Sequence, residues 1–584
     1  MLKSLLAVGV LAGSSLAAPA PARNLARALT VSPDGSCGGS TGYTCQGSTF
    51  GSCCSQYGWC GDSTSYCGTK CQSSAGTCGT GGGATTSKPS ATASSTATSK
   101  PTSTASATLT DCLSEKDVPI KLTLDADFSQ LAEAYNVHLN YEPAVIVVPT
   151  TVQHISDAVV CASKNNIKVQ ARGGGHSYAA FSSGGKDGAM VINLQEFQDV
   201  TLDDQGIAKV GGGLRLGNLA QSIYDQGKRA LSHGTCPGVG IGGHFTHGGY
   251  GYASRYWGLA MDQIIGLDVV LANGSAVYAS ETSFPEVYYA LRGAADSFGI
   301  ITTFHLQTHE APSSVVYFSY TLPGMWDDAA KTAGYFQHIQ TAAQNSSIID
   351  AKIGGMGMYM DGSGFSLSGS YFGTIDDFKS RIAPELLRGL PTPSATTVES
   401  LGWIDFLLKL GGADTLSTPK QGYSQHENFF AKSVTVPEST PLTAAALQSY
   451  FSYMITSGKN APASWYSIIN LYGGPGSAIN SKDDTFAAYS DRESLWVAQH
   501  WISTDVSASL PASATTFLDG LNDAMTKQMP DANFGAYLNY VDPSLSAADA
   551  HKLYYGDSLY RKLLGIKKIV DPQSVFWNPQ AIGA

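Results

Sequence analysis

Charged residues are scarce in this chain. They make up 14% of the 584 residues, and 35 lysines and arginines stand against 46 aspartates and glutamates, for a formal net charge of −11. Recognition of a phosphate backbone depends on clustered lysine and arginine, so this composition argues against a nucleic-acid partner. With 43% hydrophobic residues, the chain is neither wholly disordered nor a coiled coil. Its length predicts several domains.

Long apolar runs are also missing beyond the N-terminus. No later stretch offers the roughly 18 consecutive apolar residues of a membrane span. Residues 1–18 combine Lys3, a short apolar run and small residues, which is the layout of a secretory signal peptide, and the run is too short for the alternative, a membrane anchor. We therefore expect a secreted, extracellular protein with no membrane partner. Asn273 and Asn345 lie in sequons and are candidate glycan sites.

Cysteine is rare outside one short segment. Eight of the eleven cysteines lie between Cys37 and Cys78, a density typical of a mini-fold held together by disulfides. Pairing Cys112 with Cys161 would tie the start of the large region to its first helix. Cys236 would then be an unpaired thiol in a glycine-rich loop. An odd cysteine in an exported protein requires an explanation.

A linker separates this cysteine-rich segment from the rest of the chain. Residues 80–110 are almost only Ser, Thr, Ala, Gly, Lys and Pro. Such a segment has nothing to bury and is typical of an extended, O-glycosylated tether.

The cysteine-rich segment has a specific pattern. A doubled Cys53-Cys54 is followed by the letters SQYGWCG and then by YCG. Over residues 36–79 this pattern resembles the hevein-type chitin-binding domains. A fold this small cannot bury all its aromatic rings, which suits rings that stack on sugars. The resemblance implies chitin or chito-oligosaccharide as a partner, and the contacting residues would be Ser55, Tyr57, Trp59 and Tyr66. A structural knob whose aromatics only cover disulfides is the alternative.

The large region alternates predicted strands and helices. Residues 144–149 and 168–171 are short apolar strands, and residues 152–165 between them have helical spacing of apolar side chains. Further strand-like runs follow, with a hairpin turn at Asn273-Gly274. This alternation favours an α+β architecture of two subdomains.

Two glycine-rich segments carry the candidate chemistry. The first runs from Arg172 through three glycines to His176, and the second runs from Gly234 through Cys236 to His244. Glycine clusters let backbone N–H groups approach a pyrophosphate. The spacing is not the usual GxGxxG, so two ordinary glycine turns remain an equal alternative on this evidence alone. His244 and His247 are too few ligands for zinc, and no metal site is predicted.

These segments, with LYGG at 471–474 and YLNYVD at 537–542, make residues 112–584 similar to the berberine-bridge-type flavin oxidases. This is the vanillyl-alcohol-oxidase fold, and the fungal oligosaccharide oxidases are the most similar subgroup. The resemblance implies an FAD-binding domain at 111–310, a substrate-binding domain at 311–525, and a segment at 526–584 that returns to the FAD-binding domain.

The resemblance also implies a doubly attached cofactor. FAD would be bonded through His176 to its 8α-carbon and through Cys236 to carbon 6, which would account for the odd cysteine. The other implied cofactor-binding residues are Arg172, Gly173, Gly174, Gly175, Ser177, Tyr178, Gly238, Gly240, Gly242, Gly243, His244, Asn539 and Tyr540.

The implied general base is Tyr537, the first tyrosine of YLNYVD, with Asp542 among the supporting residues. A free phenol is almost entirely protonated at neutral pH. The oligosaccharide oxidases place an aspartate before LYGG as a proton relay, but this chain has Asn470 there, and an amide cannot accept a proton. We expect an activity optimum shifted to alkaline pH. Because of Asn470, the alternative also remains that the protein binds chitin and that its oxidase domain is inactive.

Substrate choice is the least constrained inference. The resemblance places a sugar-contacting strand at Lys352 and Gly354, where Gly354 would leave space beside carbon 2 for an acetamido group. Further expected lining residues are Tyr178, Thr235, Tyr250 and Tyr466. We expect a monomeric FAD-dependent carbohydrate oxidase that converts the C1 hydroxyl of chito-oligosaccharides to a lactone and reduces O₂ to H₂O₂. Cello-, malto- and xylo-oligosaccharides, or a secondary alcohol or alkaloid, are the alternatives.

Overall fold

The computed structural model describes residues 29–78 except 34, 39, 40, 49, 57, 62, 63 and 69, and residues 106–584 except 424. The chain forms two compact units, Met1–Ser99 and Lys100–Ala584. The predicted signal peptide lies outside the described residues, and so does most of the predicted linker. At its end the linker prediction is wrong: Ser106 caps the helix Ala107–Ser114, and that helix buries Leu109.

The first unit is held mainly by disulfides. Its short elements are the strands Thr30–Val31, Tyr43–Thr44, Cys53–Cys54 and Cys60–Gly61 and the helix Thr64–Cys67. All eight of its cysteines are paired, as Cys37–Cys54, Cys45–Cys60, Cys53–Cys67 and Cys71–Cys78. Four of these cysteines and Ala75 form a buried cluster in this unit.

The second unit begins with a four-stranded sheet. Val145–Val147, Met190–Asn193 and Val169–Arg172 are parallel, and Ile120–Lys121 adds an antiparallel edge. The helix Val152–Lys164 connects two of these strands, as the sequence predicts. Cys112 and Cys161 form the expected disulfide, which joins two helices that cover this sheet.

Two antiparallel sheets follow along the chain. The strands of the five-stranded sheet are, in spatial order, Ala276–Ala279, Ile264–Val270, Ile300–Gln307, Ile207–Gly211 and Val200–Leu202. The seven-stranded sheet has the order Ala395–Leu401, Val315–Thr321, Phe365–Tyr371, Ile353–Asp361, Ser464–Leu471, Ser494–Thr504 and Asn428–Pro437. A two-stranded pair joins Arg229–Ala230 to His309–Glu310.

Helices cover these sheets. The remaining α-helices are Phe128–Ala132, Leu216–Gly227, Ile241–Thr246, Ser254–Trp257, Pro285–Ala294, Ala329–Ala343, Ile375–Asp377, Ala383–Leu386, Trp403–Gly411, Ala444–Ser457, Ser513–Thr526 and Ala547–Val570. Short 3-10 helices occur at Phe181–Ser183, Ala260–Gln263, Ala295–Ser297 and Gly458–Asn460, and a π-helix occurs at Phe378–Ile382. None of the described helices is both long and apolar enough to cross a bilayer.

The C-terminal part of the chain returns to the first two sheets. Tyr537 and Tyr554 are buried in the core of the five-stranded sheet. Phe576 is buried with the four-stranded sheet and forms an isolated parallel bridge with Val169. This return brings the YLNYVD segment beside the glycine-rich loops.

Candidate active site

The two glycine-rich loops cross at backbone distance. A Cβ at Gly174 would overlap the amide nitrogen of Gly240, and a Cβ at Gly240 would overlap that of Gly174. Glycine is required at both positions because any side chain would push the loops apart. Gly175 follows with a φ of +70°, which also favours glycine. The crossing places His176 and Cys236, one from each loop, at the same cavity.

His176 is held as a neutral imidazole. Its ring stacks on Tyr135 with centroids 4.0 Å apart, and a Cβ on Gly238 would lie 3.3 Å from its Nε2. Burial, together with the charges of Arg215 and Arg172, lowers the pKa of His176 to about 3. A neutral ring keeps a nitrogen lone pair, so His176 is able to act as a nucleophile.

Cys236 is a free thiol that opens onto the cavity. Burial raises its pKa, a hydrogen bond with Thr235 opposes this, and the charge of Glu427 adds to it. His244 holds the loop that carries this thiol, since its Nε2 accepts a hydrogen bond from the Gly234 amide at 2.8 Å. Burial lowers the pKa of His244 to about 3, so the acceptor stays neutral.

The cavity has a volume of about 490 Å³ and brings together most of the predicted site residues. Those that line it are Gly173, Gly174, Gly175, His176, Ser177, Tyr178, Thr235, Cys236, Gly240, Gly242, Gly243, His244, Tyr250, Tyr466, Asn470, Tyr537, Asn539 and Tyr540.

Lys352 and Gly354 do not line this cavity, and the predicted sugar-contacting strand is corrected accordingly. Lys352 is exposed, outside the strand Ile353–Asp361. A Cβ on the buried Gly354 would overlap the Phe372 ring, so this glycine leaves no space for an acetamido group. The error arises because the strand carries no motif that fixes its alignment.

Two further predicted residues lie just outside the lining. The Arg172 guanidinium is buried and donates hydrogen bonds to the carbonyl oxygens of Leu131 and Glu133 and to the Tyr423 hydroxyl. It therefore stabilises the first glycine-rich loop from outside the cavity. Gly238 lies against His176, as its hypothetical Cβ shows.

The structure contradicts Tyr537 as the general base. Its hydroxyl oxygen accepts hydrogen bonds from the amides of Gly249 at 2.9 Å and Tyr250 at 3.0 Å, and from Asn539 Nδ2 at 3.1 Å. A phenol oxygen has two acceptor lone pairs, so three N–H donors leave none for a substrate proton. Tyr537 is also only 2% exposed. This tyrosine fixes the backbone of residues 249–250.

Tyr540, which the sequence analysis assigned to flavin support, is better placed. Its ring stacks on Tyr178 with centroids 5.5 Å apart and meets Tyr537 edge-on at 4.7 Å. It lines the cavity, and its hydroxyl makes no hydrogen bond to any described residue. Burial raises its pKa well above the ordinary value, and the nearby phenols of Tyr178 and Tyr537 raise it further.

Asn470 also presents an unused group. Its Oδ1 is buried and has no hydrogen-bond partner among the described residues. A Cβ at Gly357 would lie 2.5 Å from that oxygen, so the glycine makes room for the amide. An unpartnered buried acceptor in a cavity calls for a donor from a ligand.

Several residues of this site were not predicted from the sequence. Tyr135 stacks on His176, and Gln499 Nε2 donates to the Tyr178 hydroxyl at 2.8 Å. Trp501 lines the cavity between Tyr178 and Tyr466. No local pattern marks these residues, because the seven-stranded sheet and the loop around Tyr135 bring them in from distant parts of the chain.

In the first unit, the predicted sugar-contacting residues differ in exposure. Trp59 is 51% exposed, Tyr66 is partly buried, and Tyr57 lies outside the described residues. Ser55 is buried, and its Oγ accepts a hydrogen bond from the Trp59 amide at 3.2 Å.

The cavity residues of the second unit fit a flavin dinucleotide. Glycine loops without side chains supply backbone N–H groups for phosphates, and a hypothetical Cβ at Gly243 meets only open space within 4 Å. The His176 imidazole and the Cys236 thiol line the same cavity. Comparisons with known proteins agree. A family model described as an FAD binding domain matches residues 143–280, and a model described as berberine and berberine like matches residues 536–583.

Similar proteins extend this match over most of the second unit. The xylooligosaccharide oxidase of Thermothelomyces thermophilus is 37% identical over 81% of this chain and 94% of its own. The chitooligosaccharide oxidase of Gibberella zeae is 33% identical over the same shares. The solved glucooligosaccharide oxidase from Acremonium strictum, described with a 6-S-cysteinyl, 8α-N1-histidyl FAD, matches with a TM-score of 0.76, 31% identity and coverage of 81% of this chain and 99% of its own.

These matches confirm the expected FAD-binding fold of two subdomains and the expectation of an FAD-dependent carbohydrate oxidase. The chain belongs to the berberine-bridge-type FAD oxidases, in the group of the fungal oligosaccharide oxidases.

Proposed function

We propose that this protein is a secreted, monomeric oxidase that converts the anomeric C1 hydroxyl of chito-oligosaccharides to the lactone. The observation that carries the proposal is the free Tyr540 hydroxyl, which shares one cavity with His176, Cys236 and the unpartnered Asn470 amide. Every group needed to hold a flavin and to deprotonate a sugar hydroxyl therefore borders the same space.

Tyr540 is the proposed general base. Its oxygen is the unengaged phenol of the YLNYVD segment, and it takes the proton of the C1 hydroxyl. The parallel ring of Tyr178 fixes its position, and Gln499 in turn holds the Tyr178 hydroxyl. Burial raises the pKa of Tyr540, so the deprotonated fraction is small at neutral pH and grows as the pH rises. This supports an alkaline activity optimum.

Asn470 is proposed to orient the substrate. Its buried Oδ1 accepts a hydrogen bond but cannot take a proton, so it binds a sugar hydroxyl near the reacting carbon. Tyr537 contributes by holding the 249–250 backbone in place.

We propose that His176 and Cys236 hold the FAD covalently. When bound, FAD supplies the oxidant for the sugar and passes the electrons to O₂ as H₂O₂. The neutral imidazole of His176 suits bond formation, and the relative with a doubly linked FAD supports the same pair. The membership of strands in the sheets supports the proposed ranges 111–310 and 311–525, and the bridge between Val169 and Phe576 supports a return of 526–584 to the FAD-binding domain.

Two observations support chito-oligosaccharides as substrate. The first unit fits a hevein-type chitin-binding domain with Trp59 exposed, and one relative is a chitooligosaccharide oxidase. Xylo-oligosaccharides are the second candidate, because the xylooligosaccharide oxidase is 37% identical. Gly354 lies outside the cavity and against the Phe372 ring, so it does not support room for an acetamido group at carbon 2.

The test is peroxide release from a panel of chito-, xylo-, cello- and malto-oligosaccharides, combined with anaerobic bleaching of the flavin. We expect chito-oligosaccharides to give the highest kcat/KM, with lactone or aldonic acid as product. Preference for another sugar would refute the substrate assignment alone. Absence of peroxide and of bleaching with every sugar would refute the enzymatic function and favour an inactive oxidase body.

A further inference from the structure

A second cleft continues from the active-site cavity along the seven-stranded sheet. Its volume is about 520 Å³, and Tyr466 lines both it and the cavity. We propose that this cleft, the distal subsite formed by Tyr359, Asp361, Ser464 and Ser503, binds the sugar rings farthest from the oxidised end. The enzyme would then prefer chains of at least three rings. This inference rests on the proposed function and names the substrate class more closely.

The floor of the two cavities is one continuous strand face. Alternation along the strand Ser464–Leu471 places Asn470, Ile468, Tyr466 and Ser464 on the same side. The first three line the active-site cavity, and the last two line the cleft. Six residues of extended strand cover roughly 20 Å, enough for several pyranose rings in a row.

Stacked rings across neighbouring strands leave one ring face free. Phe429, Trp501, Tyr466 and Tyr359 follow one another with centroid distances of 3.6, 5.6 and 5.4 Å and interplanar angles of 15°, 15° and 30°. The inner rings cover each other, and Phe429 at one end is fully buried. Tyr359 at the other end is 37% exposed. An exposed aromatic face beside a sugar-oxidising site suits stacking on a pyranose.

Polar groups with unused capacity surround this ring. Asp361 Oδ1 is occupied by the amides of Ser363 and Gly364 and by the Ser363 hydroxyl. Among the residues that the structure describes, only the Tyr359 hydroxyl donates to Asp361 Oδ2, at 3.3 Å, so this oxygen retains a lone pair for a sugar hydroxyl. The hydroxyls of Ser464 and Ser503 make no hydrogen bond within the described part of the chain, and both border the cleft. An aromatic platform edged by hydroxyl-binding groups is the chemistry of a neutral sugar site.

The experiment compares dimers and tetramers of N-acetylglucosamine, with the xylose dimer and tetramer as a second pair. We expect the wild-type holoenzyme to have a KM about five- to tenfold lower for the tetramer, the fold-change that one aromatic contact supplies. Tyr359→Ala should remove this advantage and leave kcat and the dimer KM unchanged, and Tyr359→Trp should preserve it. Ser464→Trp, which fills the cleft, should also raise the tetramer KM alone.

Tyr278→Ala is the matched control, because Tyr278 is 43% exposed on the five-stranded sheet. Equal KM values for dimer and tetramer in the wild type, or a tetramer KM unchanged by Tyr359→Ala, would overturn the subsite while the proposed function stands. Calorimetry with the Tyr540→Phe protein measures binding of the tetramer without turnover. If Tyr540→Phe and the double variant Tyr540→Phe/Tyr359→Ala bind the tetramer with equal affinity, the subsite is overturned, even for a protein that oxidises no sugar.

Discussion

Tyr178 and Tyr540 lie face to face in the active-site cavity, with ring centroids 5.5 Å apart and planes inclined by 14°. Tyr178 is in turn tethered by Gln499, so this stack sets where the free Tyr540 hydroxyl points. Tyr537 belongs to the same YLNYVD segment as Tyr540, and its hydroxyl oxygen accepts hydrogen bonds from three N–H donors. Tyr537 and Tyr540 are three positions apart, and we propose separate tasks for them.

Removing each of these hydroxyls in turn separates the tasks. Tyr540→Phe should lower kcat by about 10²- to 10⁴-fold, the contribution typical of a positioned base, with little change in thermal stability. Tyr537→Phe leaves three donors without their acceptor and should cost about 1–3 kcal/mol of unfolding free energy. Steady-state kinetics and thermal melts of both variants measure this. A larger loss of kcat in Tyr537→Phe than in Tyr540→Phe would restore Tyr537 as the base.

Asn470→Asp should shift the pH dependence of the reaction. Burial raises the pKa of Tyr540, so the wild-type rate should climb with pH as the phenol deprotonates. A carboxylate at position 470 is able to accept a proton, and the ascending limb of kcat/KM should therefore move to lower pH. Asn470→Ser, which restores no acid, is the control. Superimposable profiles for the wild type and Asn470→Asp would rule out this role.

The flavin attachment is tested by mass. We expect purified protein to carry one FAD that survives acid precipitation, since two bonds would hold it. His176→Ala and Cys236→Ala should each retain the cofactor through the remaining bond, and the double variant should release it on unfolding. Intact-mass spectrometry of all four forms gives the result. A wild-type protein that loses its colour on denaturation would contradict covalent attachment.

The loop crossing predicts a strong effect of a single methyl group. Gly240→Ala should separate the two loops, prevent FAD loading and cost about 1–3 kcal/mol, because the added Cβ overlaps the Gly174 nitrogen. Gly334→Ala is the control: it lies exposed in the helix Ala329–Ala343 with no atom within 4 Å of its Cβ and should raise stability by about 1 kcal/mol. Flavin absorbance and melting temperature report both. A fully loaded Gly240→Ala protein would disprove the crossing constraint.

Trp59→Ala tests the first unit independently of the oxidase. This indole is 51% exposed, and its loss should abolish retention on insoluble chitin without changing the oxidation of soluble oligosaccharides. Phe50→Ala removes a ring of similar exposure, 48%, and should leave retention intact. A pull-down with chitin beads compares them. Equal retention of wild type and Trp59→Ala would exclude Trp59 as a contact.

Sequence patterns predicted those parts of the fold and the site that depend on a few neighbouring residues. The helix Val152–Lys164, the flanking strands, the disulfide Cys112–Cys161 and the free thiol Cys236 all follow from spacing and cysteine counting. The shared cavity of His176 and Cys236 follows from the family resemblance and the glycine loops. These features are encoded within a few residues each.

Orientation could not be predicted in the same way. Whether Tyr537 or Tyr540 faces the cavity depends on amides near residue 249, almost three hundred positions earlier. The misplaced Gly354 has a related cause: a strand with glycines at 354, 355 and 357 has no side-chain pattern that fixes its register. Tyr135 and Gln499 join the site only through tertiary contacts.

The pairing of Val169 with Phe576 has a consequence for how this protein is made. Asn539 likewise donates hydrogen bonds to the carbonyl oxygens of His244 and His247, so the pocket is completed by residues that are translated long after the glycine-rich loops. Contacts this remote in sequence form late. Cofactor capture must then wait until residues 536–583 have been translated, and a nascent polypeptide interrupted before this segment would emerge colourless.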